Sequence, residues 1–223
     1  MLAKGLNNNF YDNLYSADDR TYERPLTSPY YPLYCEARRR VVQAGMRSVL
    51  EVGCGSGVLG EMLIAAGVSY SGFDFSSTAV AKARLRSPGG EFNVADATDP
   101  ASYRRSYDGI VCCEVLEHID GDLEAIGLWK SGAGFVCSVP NFDGEHHVRY
   151  FHRAEDVVAR YGALLDIRSI ARIAKSARAN LSAAEYFRRI RWARNEPRRL
   201  LGILGIKTFA WYGGWFVFAG RRR

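Results

Sequence analysis

Blocks of apolar and polar positions alternate along this chain and predict strands and helices in turn. Short apolar runs such as SVLEV and GIVCC are separated by stretches in which apolar residues recur every three or four positions. The strand pattern covers 47–53, 69–74, 91–95, 107–113 and 134–139. The helical pattern covers 34–43, 58–66, 77–86, 115–129 and 153–161. This alternation predicts an α/β domain whose parallel sheet has helices on both faces.

The two flanks of this pattern are less regular. Residues 1–32, rich in Tyr and Pro, form an N-terminal segment that is either a lid over a ligand or a packing arm. The domain proper is expected over 33–223, with 163–174 as a sixth strand and Trp211 to Ala219 as the last one. Between these two strands, a helical insert is expected at about 176–207.

A glycine-rich turn follows the first predicted strand in VLEVGCGSGVLG. Glycines at 53, 55 and 57 permit a tight turn and expose backbone N–H groups to a ligand. The order G-x-G-x-G differs from the dinucleotide fingerprint, and no GK[ST] follows, which excludes a triphosphate loop. Glu51 beside the loop would repel a phosphate and attract an ammonium group. Asp74, after the next strand, is placed to accept both hydroxyls of a ribose.

Four ordered motifs make this chain resemble the class I S-adenosylmethionine-dependent methyltransferases. They are EVGCGSG, Asp74 in GFDFS, Asp96 in NVADATDP, and YDGIVCCEVLEHI. The resemblance implies a Rossmann-like, seven-stranded, mostly parallel sheet whose last strand is antiparallel. Another doubly wound nucleotide binder is the alternative.

The resemblance also implies a role for each cofactor-binding residue. Glu51 and the loop at Gly53, Gly55 and Gly57 would hold the methionine end of S-adenosylmethionine, and Asp74 would hold its ribose. Phe75 would contact the adenine face, Asp96 and Ala97 its edge, and the backbone of Cys113 the methionine part. For Asp96 the alternative is a turn-forming aspartate.

The segment after the fourth strand carries Glu114, Glu117 and His118. On a helix starting there, these side chains would share one face, and two carboxylates with an imidazole suit a divalent ion. With His147 in PNFDGEHHVRYF, the pattern is similar to the ubiquinone-biosynthesis O-methyltransferases and the small-RNA 3′-terminal 2′-O-methyltransferases. The resemblance implies Mg²⁺ or Mn²⁺ bound by Glu114, Glu117, His118 and His147, aligning an oxygen acceptor.

Two interpretations without a metal stay open. Glu117 and His118 would then brace the helix, as they do in many methyltransferases. His118, His146 or His147 would serve as the general base, or proximity alone would carry the reaction.

Composition places limits on compartment and partners. The chain contains no run of eighteen apolar residues, so no membrane span is predicted. Its five cysteines form no CxxC pair and indicate buried thiols in a reducing, cytoplasmic setting. The net charge of +6 is concentrated in the insert, in Arg38–Arg40 and in Arg221–Arg223. These clusters indicate either attraction to an anionic partner or a solvated face with a frayed tail.

The expected activity is O-methylation of a small-molecule hydroxyl, on a metabolite or sugar. The alternative acceptor is RNA, at a terminal 2′-oxygen, or a protein, recruited by the basic insert; nucleic acid is the less favoured partner. A non-catalytic cofactor-binding domain is a third possibility, against which the intact glycine loop argues.

Overall fold

The computed structural model describes residues 30–144, 146–174 and 213–223, together with Asp12, Tyr15, Ser16, Ser28, Phe187, Ile190, Arg191 and Arg194. Most of the expected N-terminal segment 1–32 and of the insert at about 176–207 lies outside these residues. Within the described residues, no helix is both long and apolar enough to cross a membrane.

Seven strands form one sheet in the order β3-β2-β1-β4-β5-β7-β6. The strands are β1 (Ser48–Val52), β2 (Ser69–Asp74), β3 (Glu91–Val94), β4 (Gly109–Cys113), β5 (Gly134–Pro140), β6 (Leu165–Ala174) and β7 (Gly214–Arg222). Strands β1 to β5 pair in parallel, and β7 is antiparallel to both of its neighbours. The predicted fold class, with its antiparallel last strand, is confirmed.

Helices cover both faces of the sheet. They are α1 (Tyr31–Gln43), α2 (Val58–Ile64), α3 (Ser77–Arg86), α4 (Asp122–Gly127) and α5 (Ala154–Tyr161), with a 3₁₀ helix at Pro100–Tyr103. The predicted helices 34–43, 58–66, 77–86 and 153–161 are confirmed. The predicted helix 115–129 is wrong over its first half, because the chain from Glu114 to Gly121 forms turns and the helix begins at Asp122.

The central strands are buried on both sides, which explains their nearly continuous apolar sequences. In β4, Ile110 and Cys112 face one apolar cluster, while Val111 and Cys113 face the other. Helix α1 packs on the second cluster. This packing leaves the carboxyl ends of the strands as the place where polar side chains meet.

The C-terminal arginines belong to the sheet. Arg221 and Arg222 lie in β7, and the Arg222 guanidinium donates to the Ile126 and Leu164 carbonyls at 2.9 and 3.0 Å. The interpretation of this cluster as a frayed tail is therefore wrong. The last strand also begins and ends three residues later than predicted, at Gly214–Arg222.

Candidate active site

The candidate site lies where the strand order reverses, between β1 and β4. Strands β2 and β3 extend the sheet to one side of β1, and β5 extends it beyond β4. Loops that leave two such neighbouring strands diverge and open a crevice at their carboxyl ends. The glycine loop follows β1, and the segment beginning at Glu114 follows β4, so both predicted motifs border the same crevice.

Positive backbone angles shape the glycine loop. The φ angles of Gly53, Gly55 and Gly57 are 70°, 51° and 79°, which side chains with a Cβ rarely adopt. Space is restricted as well, because a Cβ on Gly57 would lie 2.9 Å from the Ala83 Cβ on α3. The loop residues predicted from the sequence are therefore needed for this backbone path.

Asp74 ties the end of β2 to the glycine loop. It is buried, and its two carboxylate oxygens accept from the Gly55 N–H and the Ser76 N–H, both at 2.9 Å. Burial raises the pKa of Asp74, although these hydrogen bonds oppose the shift. An ionised carboxylate accepts more than two hydrogen bonds, so Asp74 retains capacity to accept from a ligand hydroxyl.

Glu51 is the second buried carboxyl group of this crevice. It is 3% exposed, and the Tyr70 hydroxyl donates to it. Burial raises the pKa of Glu51 to about 8, while the Tyr70 hydrogen bond acts in the opposite direction and Asp74 adds to the shift. A buried carboxyl group of this kind favours a cationic ligand group beside it.

Because the pKa of Glu51 is raised, we expect the free energy of unfolding to fall as pH rises. An unfolded glutamate ionises near pH 4.5, whereas folded Glu51 keeps its proton up to about pH 8. The folded state therefore binds more protons in this window, and the unfolding free energy should decrease by up to about 1.4 kcal/mol per pH unit. Urea denaturation of the wild type and Glu51→Gln at several pH values measures this contribution as a difference in slope.

The matched control for this prediction is Glu155→Gln, which alters an exposed carboxylate on α5. Its profile should follow the wild type, and the Glu51→Gln profile should be flatter. Parallel profiles for all three proteins would show that Glu51 ionises alike in the folded and unfolded states.

The remaining predicted cofactor residues border the crevice in different ways. Asp96 is exposed, and its Oδ1 accepts from the Thr98 N–H and hydroxyl at 2.7 and 2.8 Å, which are turn-forming contacts. The Ala97 carbonyl accepts from the Tyr103 hydroxyl at 2.7 Å. Phe75 is half-buried after β2, and Cys113 is buried at the end of β4. Their roles toward a cofactor stay predictions.

A left-handed residue, Glu114, ends β4. Its φ of 59° is a conformation that non-glycine residues seldom adopt, and it prevents a helix from starting there. Ser138 holds this conformation: its Oγ accepts from the Glu114 N–H and donates to Glu114 Oε1, both at 3.1 Å. The predicted common helix face of Glu114, Glu117 and His118 is therefore wrong, and turns bring the side chains together instead.

The segment after β5 is fastened to these turns by hydrogen bonds. The Val148 N–H donates to the Glu117 carbonyl at 2.8 Å, and the Arg149 guanidinium reaches the Leu116 and Ile119 carbonyls. These contacts bring His147 beside His118, with ring centroids 4.9 Å apart.

Glu117, His118 and His147 form a cluster whose ligand atoms all lie within 4.8 Å of one another. It contains three of the four predicted metal ligands. Glu114 is not part of that group, because its carboxylate is bonded to Ser138. The His146 imidazole is also outside it, while the His146 carbonyl faces His118.

The two histidines have matching hydrogen bonds. His118 Nδ1 lies 3.0 Å from the His146 carbonyl, and His147 Nδ1 lies 3.2 Å from the Phe142 carbonyl. Since a carbonyl only accepts, each Nδ1 carries the proton and each Nε2 keeps a lone pair. Burial lowers the pKa of His118 to about 4, which keeps the ring neutral. This is the form of histidine that binds metal ions.

The Glu117 carboxyl group lacks the donors that a buried acid requires. It is 0% exposed, and no hydrogen-bond donor among the described residues reaches either oxygen. Burial and the neighbouring Glu114 raise the pKa of Glu117 well above its ordinary value. A cation between Glu117 and the two histidine nitrogens would satisfy this group, so these residues fit a divalent metal ion.

Sequence reasoning missed several residues that shape the crevice. Tyr70 and Ser138 bond to its carboxyl groups, and Arg149 fastens its rim. Each comes from a different part of the chain and carries no local motif, so only the tertiary structure reveals it. From the N-terminal segment, Asp12 accepts from Ser76 Oγ at 2.5 Å.

Comparison with known proteins agrees with this geometry. Residues 50–127 match the family model described as a methyltransferase domain. Over these residues the chain is similar to a methyltransferase domain. Its relative, the ubiquinone biosynthesis O-methyltransferase of Nitrosomonas europaea, is 36% identical over 104 residues, which is 43% of this chain and 44% of that protein. The match thus spans less than half the length of this curated relative.

Two solved structures share the fold of this chain. The N-methyltransferase NodS from Bradyrhizobium japonicum, in complex with S-adenosyl-L-homocysteine, has a TM-score of 0.65, 17% identity, and coverage of 97% of this chain and 99% of its own. The [4+2]-cyclase SpnF has a TM-score of 0.58, 18% identity, and coverage of 85% and 79%. Since an N-methyltransferase and a [4+2]-cyclase both have this fold, the reaction has to be argued from the site of this chain.

Proposed function

We propose that this chain transfers the methyl group of S-adenosylmethionine to a hydroxyl oxygen of a small molecule, with Mg²⁺ or Mn²⁺ bound by Glu117, His118 and His147. The observation that carries this proposal is the convergence of a donorless buried carboxyl group with two histidine nitrogens at the crevice. The curated relatives are named O-methyltransferases, which supports an oxygen acceptor.

The cofactor occupies the glycine-loop side of the crevice. Gly53, Gly55 and Gly57 admit its methionine part against the main chain, next to Glu51 and the Cys113 backbone. Asp74 accepts from the ribose hydroxyls, Phe75 packs on the adenine, and Asp96 with Ala97 meets the adenine edge. Glu51 and Asp74 are both buried. This supports the assignment, because a buried carboxyl group requires donors and the cofactor carries hydroxyl and ammonium donors.

The residues of the chain position the acceptor rather than react with it. When bound, the sulfonium cofactor supplies a transferable methyl group, and the divalent ion lowers the pKa of a coordinated hydroxyl. Glu117, His118 and His147 would hold that ion and thereby fix the direction of the oxygen. Orientation of this kind accounts for a large part of the rate in direct displacement. His146, outside the cluster, is the remaining candidate for a general base.

Two described residues of the N-terminal segment, Asp12 and Tyr15, lie beside the cofactor loop. Asp12 accepts from the Ser76 hydroxyl beside Asp74, and a Cβ on Gly55 would lie 2.8 Å from the Tyr15 hydroxyl. These contacts support a lid over the bound cofactor in preference to an arm that packs elsewhere. The acceptor alternative of RNA or protein depends on the insert, which lies mostly outside the described residues, and nothing in those residues favours it.

A methyl-transfer screen with labelled cofactor tests this function. Catechols, sugars and RNA ends are offered as acceptors, with a chelator and with added Mg²⁺ or Mn²⁺. We expect transfer to a small-molecule hydroxyl, loss of activity with chelator, and recovery with metal. His147→Gln should lower kcat/KM by at least about 30-fold and weaken Mn²⁺ binding measured by electron paramagnetic resonance.

His152→Gln is the matched control, because His152 is exposed and outside the metal cluster. It should keep both the activity and the Mn²⁺ signal. Transfer to carbon or nitrogen acceptors alone, unaffected by chelator and by His147→Gln, would contradict the proposal.

A further inference from the structure

A groove of about 660 Å³ lies at the end of the sheet opposite the glycine loop. Its walls include Met46 before β1, Asp108 before β4 and Gly134 at the start of β5. These are the amino ends of parallel strands, so the groove is separate from the crevice at their carboxyl ends. The groove is completed by the C-terminal half of α1, by Arg168 and Ser169 of β6, and by Ala219, Gly220 and Arg221 near the end of β7.

Four guanidinium groups line this groove: Arg39, Arg40, Arg168 and Arg221. Neighbouring carboxylates compensate only part of this charge. Glu36 pairs with Arg39 and Arg40, and Asp166 pairs with Arg168. Asp108 accepts mainly from backbone N–H groups, and Arg221 donates to the Gly132 carbonyl rather than to an acid. Four guanidinium groups against the carboxylates of Glu36, Asp108 and Asp166 leave the groove with one net positive charge.

A bulge in β6 turns two consecutive side chains into the groove. Side chains of a regular strand alternate between faces, yet Arg168 and Ser169 both line this cavity. The pairing with β7 shifts register between Ile167 and Ser169, which marks a bulge at this position. Bulges re-aim side chains and occur often beside binding sites.

Two arginines of the groove are held by hydrogen bonds within the protein before any ligand arrives. Arg40 is 10% exposed, and it donates to Glu36 at 2.7 Å and to the Ser169 hydroxyl at 2.6 Å. Arg221 donates through one Nη to the Gly132 carbonyl at 2.9 Å. Guanidinium groups that are already ordered lose little entropy when they bind an anion, and each carries further N–H donors.

We propose that this groove binds a small molecule carrying a diphosphate group, at a site independent of the methyl-transfer crevice. Arginine forks match phosphate oxygens in pairs, and linked phosphates supply enough charge for several guanidinium groups. The volume is that of a small-molecule site, and the apolar atoms of Met46 and Ala219 leave room for an organic part.

Calorimetric titration of the full chain with inorganic pyrophosphate and with ADP tests this site. Saturating S-adenosyl-L-homocysteine blocks the crevice, and a chelator removes metal ions. We expect saturable binding with one site per chain. Arg168→Gln and Arg221→Gln should each weaken it about tenfold. Both side chains are exposed, so the variants should fold, which melting temperatures verify.

Arg105→Gln is the matched control. Arg105 lies at the same end of the sheet but pairs with Glu91 at the opposite edge, and the variant loses the same charge. It should bind pyrophosphate as the wild type does. Absence of saturable binding, or an equal loss in Arg105→Gln, would overturn the proposal. Tighter binding of single-stranded RNA than of ADP, lost in the same variants, would overturn it in favour of a nucleic-acid surface.

Discussion

Glu117→Gln is expected to remove metal-dependent methyl transfer without lowering the stability of the fold. The substitution replaces a carboxylate ligand by a weakly coordinating amide, so kcat/KM should fall at least about 100-fold. The same carboxyl group is buried without a donor and faces Glu114. Its replacement should therefore leave the unfolding free energy unchanged or raise it by about 1 kcal/mol.

Asp122→Asn is the matched control for stability, because Asp122 is also 0% exposed but fully paired. Arg160 donates to it at 2.7 and 2.6 Å, and the Tyr161 hydroxyl donates at 2.9 Å. Removing the buried charge of Asp122 leaves the half-buried Arg160 guanidinium without its carboxylate partner, so the unfolding free energy should fall by about 3 kcal/mol.

Urea denaturation of the metal-free proteins and steady-state assays with Mn²⁺ measure these effects. The unfolding free energy should fall in Asp122→Asn and should stay unchanged or rise in Glu117→Gln. This difference would establish that Glu117 is retained for binding rather than for folding. Equal destabilisation by the two substitutions would instead assign Glu117 a structural role, as in the interpretation in which it braces its own segment.

The parts of this protein that the sequence predicted are those governed by local physical rules. Apolar runs such as GIVCC form strands because both faces of the sheet are covered, and β2 (Ser69–Asp74) has the predicted bounds. Three glycines with positive φ angles form the predicted loop, since other residues rarely adopt that backbone. Regularities of this kind can be read from a single segment without knowledge of its neighbours.

The segment after β4 shows where such reasoning fails. Val115, Leu116 and Ile119 have helical spacing, yet the chain forms turns there. The deciding contacts come from elsewhere in the chain: Ser138 holds Glu114 in a left-handed conformation, and the Arg149 guanidinium binds the Leu116 and Ile119 carbonyls. Glu117 and His118 of EVLEH do meet His147 in one cluster, and their role as metal ligands stays a prediction. Their geometry was not predicted, because it depends on tertiary hydrogen bonds.

Gly53→Ala should have the largest effect among substitutions in the glycine loop. A Cβ there would lie 2.3 Å from Val115 Cγ2, and the φ of 70° adds backbone strain. We expect the unfolding free energy to fall by about 3 kcal/mol. The affinity for S-adenosyl-L-homocysteine should fall at least about tenfold, because displacement of Val115 and the loop closes the crevice.

Gly67→Ala measures the effect of backbone strain without the steric clash that Gly53→Ala also introduces. Gly67 has a φ of 81°, but a Cβ there would meet nothing within 4 Å, so only strain of about 1 kcal/mol is expected. In the Gly53→Ala background, Val115→Ala should recover about 1 to 2 kcal/mol, a coupling that a double-mutant cycle isolates. Denaturation and calorimetry measure all four proteins. An equal loss of unfolding free energy at both glycines, with no recovery by Val115→Ala, would mean that close packing does not fix the loop. Unchanged affinity for S-adenosyl-L-homocysteine in Gly53→Ala would place the cofactor elsewhere.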